Sequence, residues 1–193
     1  MTKQLILILG GARAGKSELA QNLAGALGKT VLFVATAEAK DPDMAARIAA
    51  HRKRRPPHWE LIEEPLDLAG RLSRRSGHTD VVLLDCLTLW VSNLLLKEGE
   101  DDGSLACGAA EQLVDLYRRD ASSWIVVSNE VGLGVVPPTP LGRAYRDALG
   151  AVNQIFARRA DRVYLVVAGL ALELKSLGAR NLSEIEERLS GRG

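Results

Sequence analysis

Cysteine, aromatic residues and net charge are all scarce in this sequence. Its 193 residues include two cysteines, Cys86 and Cys107, which are too few for a disulfide framework or a cysteine-based zinc site. We expect both to pack as small apolar residues in a reducing compartment. The formal net charge of +1 creates no overall field that would recruit nucleic acid or an anionic membrane. Any attraction for anions must therefore be local.

The sequence also lacks a long apolar run. Residues 5–9 lead directly into glycines, without the longer apolar region and cleavage site of a signal peptide. The longest apolar stretch, residues 81–96, is interrupted by Asp85, Ser92 and Asn93. It falls short of the roughly 20 apolar residues that span a membrane. We therefore predict a soluble, cytoplasmic protein without stable membrane insertion.

Short apolar runs alternate with longer amphipathic segments, which is typical of strand–helix units around a mainly parallel sheet. The near-continuous apolar character of the short runs suits strands that are buried on both faces. The predicted strands are residues 5–9, Val31–Ala35, 81–84, 125–127 and 163–167. The predicted helices are Lys16–Leu27 and residues 43–53, 87–97, 105–119 and 141–160. The predicted fold class is α/β, with a mostly parallel β-sheet flanked by helices in a single domain over residues 1–193, ending in a tail over 176–193.

Two segments between these elements have the composition of loops. Residues 98–104 are acidic and contain glycine, so they are predicted to form a solvated connection. Residues 132–140 hold two glycines and three prolines and are predicted to be a non-helical surface segment. Ser183, followed three residues later by Glu186, predicts a capping box that opens a short final helix.

A phosphate-binding motif lies between the first predicted strand and the first predicted helix. Residues 10–17 read G-x-x-x-x-G-K-S, and this context makes the motif credible. Successive backbone N–H groups and the helix N-terminus attract an anion, Lys16 reaches the β- and γ-phosphates, and the Ser17 hydroxyl can ligate Mg²⁺. The predicted loop consists of Gly10, Gly11, Ala12, Arg13, Ala14, Gly15, Lys16 and Ser17. The protein is therefore predicted to have a P-loop nucleotide-binding fold.

Two acidic residues follow buried strands. The strand at residues 81–84 ends at Asp85, which we expect to hold Mg²⁺ or its water beside the phosphate loop. The alternative is that Asp85 is only a turn residue at the strand end. Glu130 follows residues 125–128 and is a second candidate acid, equally able to cap the next loop. The sequence has no N-K-x-D element, which argues against the small-GTPase family but not against GTP.

One histidine, His51, lies in a basic segment at residues 47–55. If the preceding helix continues through it, Arg47, His51 and Arg54 share one face. An imidazole flanked by guanidinium groups suits a triphosphate, and positive neighbours favour the neutral, nucleophilic imidazole. A solvated basic helix end and a nucleic-acid contact patch are the alternatives at this point.

Seven short motifs occur in order along the chain. They are GGARAGKS at 10–17, VATA at 34–37, ARIAAHR at 46–52, RPPHW at 55–59, LLDCLTLW at 83–90, SNEVGLG at 128–134 and VNQ at 152–154. Together they resemble the bifunctional adenosylcobinamide kinase/adenosylcobinamide-phosphate guanylyltransferase family of cobalamin biosynthesis. The match runs from residue 5 to about 174. It departs at Ala14, where the family usually has serine, and this position is expected to contribute only its backbone N–H.

The resemblance implies a two-step enzyme. First, the hydroxyl of the aminopropanol arm of adenosylcobinamide takes the γ-phosphoryl group of ATP or GTP. Second, GTP gives GMP to a histidine with release of pyrophosphate, and the substrate phosphate attacks that adduct to form adenosylcobinamide-GDP. The matching histidine is His51, so the predicted catalytic residues are His51 and Lys16.

The resemblance also implies a set of contacts and partners. Mg²⁺ is the implied metal, held by Ser17 and Asp85, with GTP and ATP as substrates and a corrinoid as the small-molecule partner. No nucleic acid partner is expected, and the family suggests a homotrimer. The implied nucleotide-binding residues are residues 10–17, Thr36, Ala37, Glu38, His51, Arg52, Lys53, Arg54, Glu63 and Asp85.

Two other functions fit part of this pattern. A single-function P-loop metabolite kinase would use Lys16, Ser17 and Asp85 but would have no use for His51. A P-loop regulatory or nucleic-acid-binding protein would use residues 47–55 as its contact patch, and its binding would be strongly salt-dependent. Retention of the α-phosphate of GTP separates a guanylyltransferase from both.

Overall fold

The computed structural model describes residues 2–39, 42–98 and 103–190 and arranges them around one sheet. The strands are β1 (Leu5–Gly10), β2 (Val31–Ala35), β3 (Glu60–Glu63), β4 (Val81–Asp85), β5 (Ser123–Val127), β6 (Arg162–Val167) and β7 (Leu170–Glu173). The helices are α1 (Lys16–Leu27), α2 (Pro42–Arg54), α3 (Leu68–Ser73), α4 (Leu87–Glu98), α5 (Ser104–Arg119), α6 (Pro140–Arg159) and α7 (Leu182–Leu189). A short 3₁₀ turn occupies Val131–Leu133.

The sheet has seven strands in the order β3-β2-β4-β5-β1-β6-β7. All neighbouring strands run parallel except β6 and β7, which form an antiparallel pair at one edge. Parallel neighbours need long crossover connections, and the intervening helices supply them. The predicted α/β class with a mostly parallel sheet is confirmed.

Alternate side chains of each central strand enter two different cores. In β1, Leu5, Leu7 and Leu9 pack in the larger core, to which α3, α4, α5 and α6 contribute. Ile6 and Ile8 point to the opposite face and pack in the smaller core with α1. Because both faces are covered, the strand needs apolar residues at every position, which explains its continuous apolar run.

The longest apolar stretch of the sequence is divided between two elements. Its first part forms β4, which ends at Asp85, and the rest forms most of α4. Within the three described ranges, no helix is both long and apolar enough to cross a membrane.

All five predicted strands and all five predicted helices are present, with bounds that differ by at most a few residues. Three short elements were not predicted: β3, α3 and β7. In β3 only Ile62 is buried, and β7 is an exposed edge strand apart from the partly buried Glu173. Edge strands carry little apolar pattern, and α3 is six residues long. Their formation depends on pairing and packing partners that are distant in sequence.

The predicted loops are partly confirmed. The segment at residues 132–140 was expected to be free of helix, but Gly132 and Leu133 belong to the 3₁₀ turn. Pro140 opens α6, where Thr139 accepts a hydrogen bond from the Gly142 N–H as the N-cap. In the segment at 98–104, the ends are helical and the predicted centre at 99–102 lies outside the described residues.

The predicted capping box of the last helix is wrong by two residues. Helix α7 begins at Leu182, so Ser183 is already inside it. Asn181 occupies the cap position, with its carbonyl accepting from the Ile185 N–H. Its side-chain amide donates to Glu184, three residues later, at 2.7 Å. This contact joins two side chains, whereas a capping box joins each side chain to the other residue's backbone N–H, so the helix start differs from the predicted box in kind as well as in position.

Candidate functional site

The carboxyl ends of five neighbouring parallel strands lie side by side at one end of the sheet. We call this row of strand ends the carboxyl edge, as distinct from the edge strands β3 and β7. In register, Glu63 of β3 pairs with Ala35 of β2, Ala35 with Asp85 of β4, and Asp85 with Val127 of β5. Ile8 of β1 pairs with Val127 of β5, and β1 ends two residues later at Gly10, which pairs with Val166 of β6. Ligands in open α/β sheets bind at this edge, and most of the predicted site residues lie along it.

The phosphate loop has an unusual backbone between β1 and α1. A Cβ added at Gly10, whose φ is +145°, would lie 2.2 Å from the Val166 carbonyl oxygen of β6, so this position requires glycine. Arg13 adopts a positive φ of 59°, and Gly15 precedes α1 with a φ of 102°. Residues of positive φ that alternate with other conformations are typical of loops whose successive N–H groups bind an anion.

Lys16 is the first residue of α1, and the residue as a whole is only 8% exposed. Its ammonium donates to the Gly11 carbonyl at 2.6 Å, so it lies within the curve of the loop. Burial lowers the pKa of Lys16, while the negative charge of the Asp85 carboxylate acts in the opposite direction. An ammonium that is partly stripped of water interacts more strongly with an added phosphate than an exposed one.

Asp85 is not on the strand next to β1. Strand β5 lies between β1 and β4, so Asp85 is two strands away from the strand that leads into the phosphate loop. Its carboxylate is still near enough to influence Lys16 electrostatically. Ser17 is half-buried at the second position of α1. A carboxylate and a hydroxyl are oxygen donors of the kind that Mg²⁺ uses together with substrate phosphates, so these residues fit that ion.

Thr36 joins the ends of β2 and β4 rather than lining an open surface. It is fully buried, and its hydroxyl donates to the Cys86 carbonyl at 2.7 Å and accepts from the Cys86 N–H at 3.0 Å. Asn93 of α4 donates to the Thr36 carbonyl. The two residues that follow differ, since Ala37 is half-buried and Glu38 is exposed. Thr36 therefore fixes the chain as it leaves the sheet toward Glu38.

A basic group from α2 contacts the far end of the same edge. Arg52 forms an ion pair with Glu63, and both side chains are about half exposed. Lys53 is exposed, and Arg55 lies over the Phe33 ring at 5.0 Å. These contacts attach the C-terminal end of α2 to β2 and β3.

The backbone of α2 confirms that His51 is helical. The side chains of Arg47, His51 and Arg54 lie outside what the structure describes, so their shared face stays a prediction. The neighbouring Arg52 is described, and its contact with Glu63 locates this part of α2 near the edge strand β3.

The predicted residues form two groups along the edge. Residues 10–17 and Asp85 lie in the group around β1 and β4, whereas Glu63 and Arg52 lie at β3. From β3 to β1 there are four strand spacings of about 4.8 Å each, or ~19 Å. The structure therefore separates the Arg52–Glu63 pair from Gly10, which the linear sequence did not indicate.

One buried polar contact was missed by the sequence reasoning. Asn153 of α6 is 4% exposed and donates to Glu130 at 3.1 Å. A signal was present, because Asn153 falls on the apolar face that Leu149, Val152 and Phe156 define at helical spacing. A polar residue on such a face needs a partner, and Glu130 is one of them.

The sequence is similar to known proteins of one family. The family model described as "Cobinamide kinase / cobinamide phosphate guanyltransferase" (CobU) matches residues 6–174. The bifunctional adenosylcobalamin biosynthesis protein CobP of Pseudomonas aeruginosa is 48% identical over 169 residues, covering 88% of this chain and 96% of the relative. The protein CobU of Escherichia coli, with the same description, is 39% identical over 181 residues, covering 89% and 99%.

Among solved structures, the RadB recombinase is similar at 17% identity and a TM-score of 0.48, covering 84% of this chain and 73% of that one.

The family model spans most of the described chain, and the relatives match over nearly their whole length. The chain therefore belongs to the cobinamide kinase/cobinamide phosphate guanyltransferase family and is a bifunctional kinase and guanylyltransferase of cobalamin biosynthesis.

Proposed function

We propose that this chain phosphorylates the aminopropanol hydroxyl of adenosylcobinamide with ATP or GTP, and then transfers GMP from GTP through an adduct on His51. The observation that carries the proposal is the buried Lys16 ammonium inside the phosphate loop at the carboxyl edge of the sheet. The family resemblance adds a homotrimer and a corrinoid substrate, and the lack of long apolar runs in the sequence adds a cytoplasmic location.

In the kinase step the loop holds the triphosphate. The backbone N–H groups of residues 11–16 and the N-terminus of α1 offset phosphate charge, and Lys16 contacts the β- and γ-phosphates. The exposed residues Ala12 and Arg13 leave the loop open to solvent on one side. These groups act on both the bound triphosphate and the charge that develops during transfer.

Mg²⁺ fits the donor set of Ser17 and Asp85. When bound, the ion would neutralise part of the triphosphate charge and make the phosphorus more susceptible to attack. The Ser17 hydroxyl lies one residue after Lys16, so the residue that contacts phosphate and the residue that meets the ion share the first turn of α1.

In the guanylyl step the nucleophile is an imidazole nitrogen of His51. It forms a bond to the α-phosphorus of GTP while the bond to the bridging oxygen breaks and pyrophosphate leaves with the electron pair. The phosphate of adenosylcobinamide phosphate then attacks the same phosphorus, and the P–N bond breaks. Two easier displacements replace one difficult displacement. Arg52 and Lys53 provide positive charge on the same helix.

The histidine intermediate is tested by labelling in the absence of corrinoid. We expect the enzyme to retain label from α-labelled GTP and none from γ-labelled GTP, because GMP stays bound and pyrophosphate leaves. α-Labelled ATP is the control, and it should leave no adduct. A direct transfer without an enzyme adduct predicts no retained label until the corrinoid phosphate is added, and that result would reject the His51 step.

Asp85→Asn tests the metal assignment. This change keeps the side-chain shape but removes the negative charge, so the Mg²⁺ concentration for half-maximal kinase activity should rise about tenfold or more. Asp115→Asn, on the exposed face of α5, is the matched control and should titrate like the wild type. An unchanged Mg²⁺ titration of Asp85→Asn would return Asp85 to the role of a strand-end residue.

A further inference from the structure

The end of β5 brings a glutamate against the phosphate loop. The parallel pairing of β1 and β5 continues past the strand, because the Ser128 N–H donates to the Ile8 carbonyl at 2.9 Å and the Glu130 N–H donates to the Gly10 carbonyl at 3.4 Å. Glu130 therefore lies beside the first residue of the loop. It follows β5, the strand that separates β1 from β4, and directly precedes the 3₁₀ turn at Val131–Leu133.

The carboxylate of Glu130 is held by a buried amide. Asn153 donates to the Glu130 Oε1 atom at 3.1 Å and to the Asn129 carbonyl at 2.9 Å. Its amide oxygen accepts from the Ser128 hydroxyl at 2.6 Å. Asn153 thus makes contacts to three consecutive residues, and its orientation is fixed by all of them. One oxygen of the carboxylate is consequently held in a defined position.

The surroundings of Glu130 suit a proton acceptor better than a metal ligand. Burial raises the pKa of Glu130 above its ordinary value, and the hydrogen bond from Asn153 acts in the opposite direction. A metal ligand must remain anionic, whereas a base has to gain a proton and lose it again. An environment that favours the neutral carboxyl makes that gain easier.

An apolar surface begins immediately after Glu130. Leu133, Val135 and Val136 are 81%, 94% and 62% exposed, which is unusual for three apolar residues in one short segment. This segment leaves the sheet next to the phosphate loop. It offers a large organic substrate an apolar contact close to Glu130.

We propose that Glu130 is the general base of the kinase step and that Asn153 is its positioning residue. The proposal rests on the kinase reaction of the proposed function. The acceptor hydroxyl oxygen forms a bond to the γ-phosphorus while the bond from that phosphorus to the β–γ bridging oxygen breaks. The nucleoside diphosphate leaves with the electron pair, and the hydroxyl proton passes to the Glu130 carboxylate. Glu130 then releases this proton to water.

Glu130→Gln tests the proposal with little change of shape. The amide oxygen can still accept from Asn153, but it cannot take a proton. We expect the kcat for γ-phosphoryl transfer to cobinamide to fall on the order of 10²–10³-fold. The Kd for GTP and the retention of α-label from GTP without corrinoid should stay unchanged, because neither involves the acceptor hydroxyl. Glu130→Asp, which keeps a carboxylate, should retain more activity than the glutamine variant.

Asn153→Ala and the double variant test the positioning role. Asn153→Ala should lower the kinase kcat, and its effect should nearly vanish when Glu130 is already glutamine, because the two residues act as a unit. Label retention from α-labelled GTP reports that the variant is folded. Additive effects of the two changes would reject Asn153 as the positioning residue.

Three results would overturn the assignment of Glu130. An unchanged kinase kcat in Glu130→Gln would mean that the carboxylate is structural. Weakened GTP binding together with lost α-label retention would make it a nucleotide or metal contact. If the wild-type enzyme transferred no γ-label to cobinamide, the proposed kinase reaction would itself fail. Glu111→Gln, an exposed glutamate of α5, is the matched control and should behave like the wild type.

Discussion

Replacing His51 with alanine is expected to abolish the covalent GMP adduct completely while measurable cobinamide kinase activity remains. Alanine has no nucleophilic nitrogen, so no bond to the α-phosphorus of GTP can form. The transfer of a γ-phosphoryl group to a hydroxyl uses the phosphate loop and does not require this imidazole. The measurement pairs retention of α-label from GTP with transfer of γ-label to cobinamide, in the same preparation.

The chemistry of the adduct in the wild type provides a second check on His51. A phosphoramidate should be labile in acid and stable in alkali, unlike a serine ester, and peptide mapping should find the label on the segment that contains His51. His58→Ala is the matched control, because His58 is an exposed histidine in the turn after α2. Label retained in His51→Ala, or label mapped to His58 or Lys16, would contradict the assignment.

Lys16→Ala is expected to reduce both activities on the order of 10²–10³-fold. The phosphate loop serves the triphosphate in both reactions, and a loss of a few kcal/mol of transition-state stabilisation corresponds to this range. Initial rates of γ-label transfer to cobinamide and of α-label retention from GTP measure the two effects. Both rates should fall in the same variant, because one phosphate loop is proposed to hold the triphosphate in both steps.

The loss in Lys16→Ala should not come from unfolding. Burial lowers the pKa of Lys16, so the charged ammonium costs free energy in the folded protein, and removing it should leave the thermal unfolding midpoint unchanged or higher. The Gly11 carbonyl, which loses its donor, is on an exposed residue and can bond to water. Lys29→Ala removes an exposed lysine as the control. Normal turnover of Lys16→Ala in both assays would mean that the loop is not the phosphate site.

Two kinds of element could be predicted from the sequence. The first are strands whose residues are all apolar because both faces are buried, and the second are helices that follow a recognisable local motif. Strand β4 is an unbroken apolar run because both of its faces are covered, and α1 follows a motif that itself defines where the helix begins. The edge strands β3 and β7 lack this signal, because one face or both faces meet water. The cap of α7 was misread because serine and asparagine can both begin a helix, and the sequence pattern alone does not choose between them.

Within the candidate site, the phosphate loop and Asp85 could be recognised, but their relation could not. The prediction placed Asp85 beside the loop without a strand order, and in the structure β5 separates β4 from β1. The sequence marked Glu130 as a candidate acid but equally allowed it to cap the following loop. Its contact with Asn153 joins residues 23 positions apart in the chain, and helical periodicity marks only the asparagine as unusual.

The sequence by itself determined the phosphate loop, the alternation of buried strands with helices, and the family to which its ordered motifs point. These features depend on short segments, since a glycine-rich turn, an apolar run and a helix start are each specified by neighbouring residues. Only the tertiary structure decided the strand order, the distance between the Arg52–Glu63 pair and Gly10, and the position of Glu130 against the loop. Those depend on which strands pair across long crossovers, and the burial that selects the pairing is shared by residues far apart in the chain.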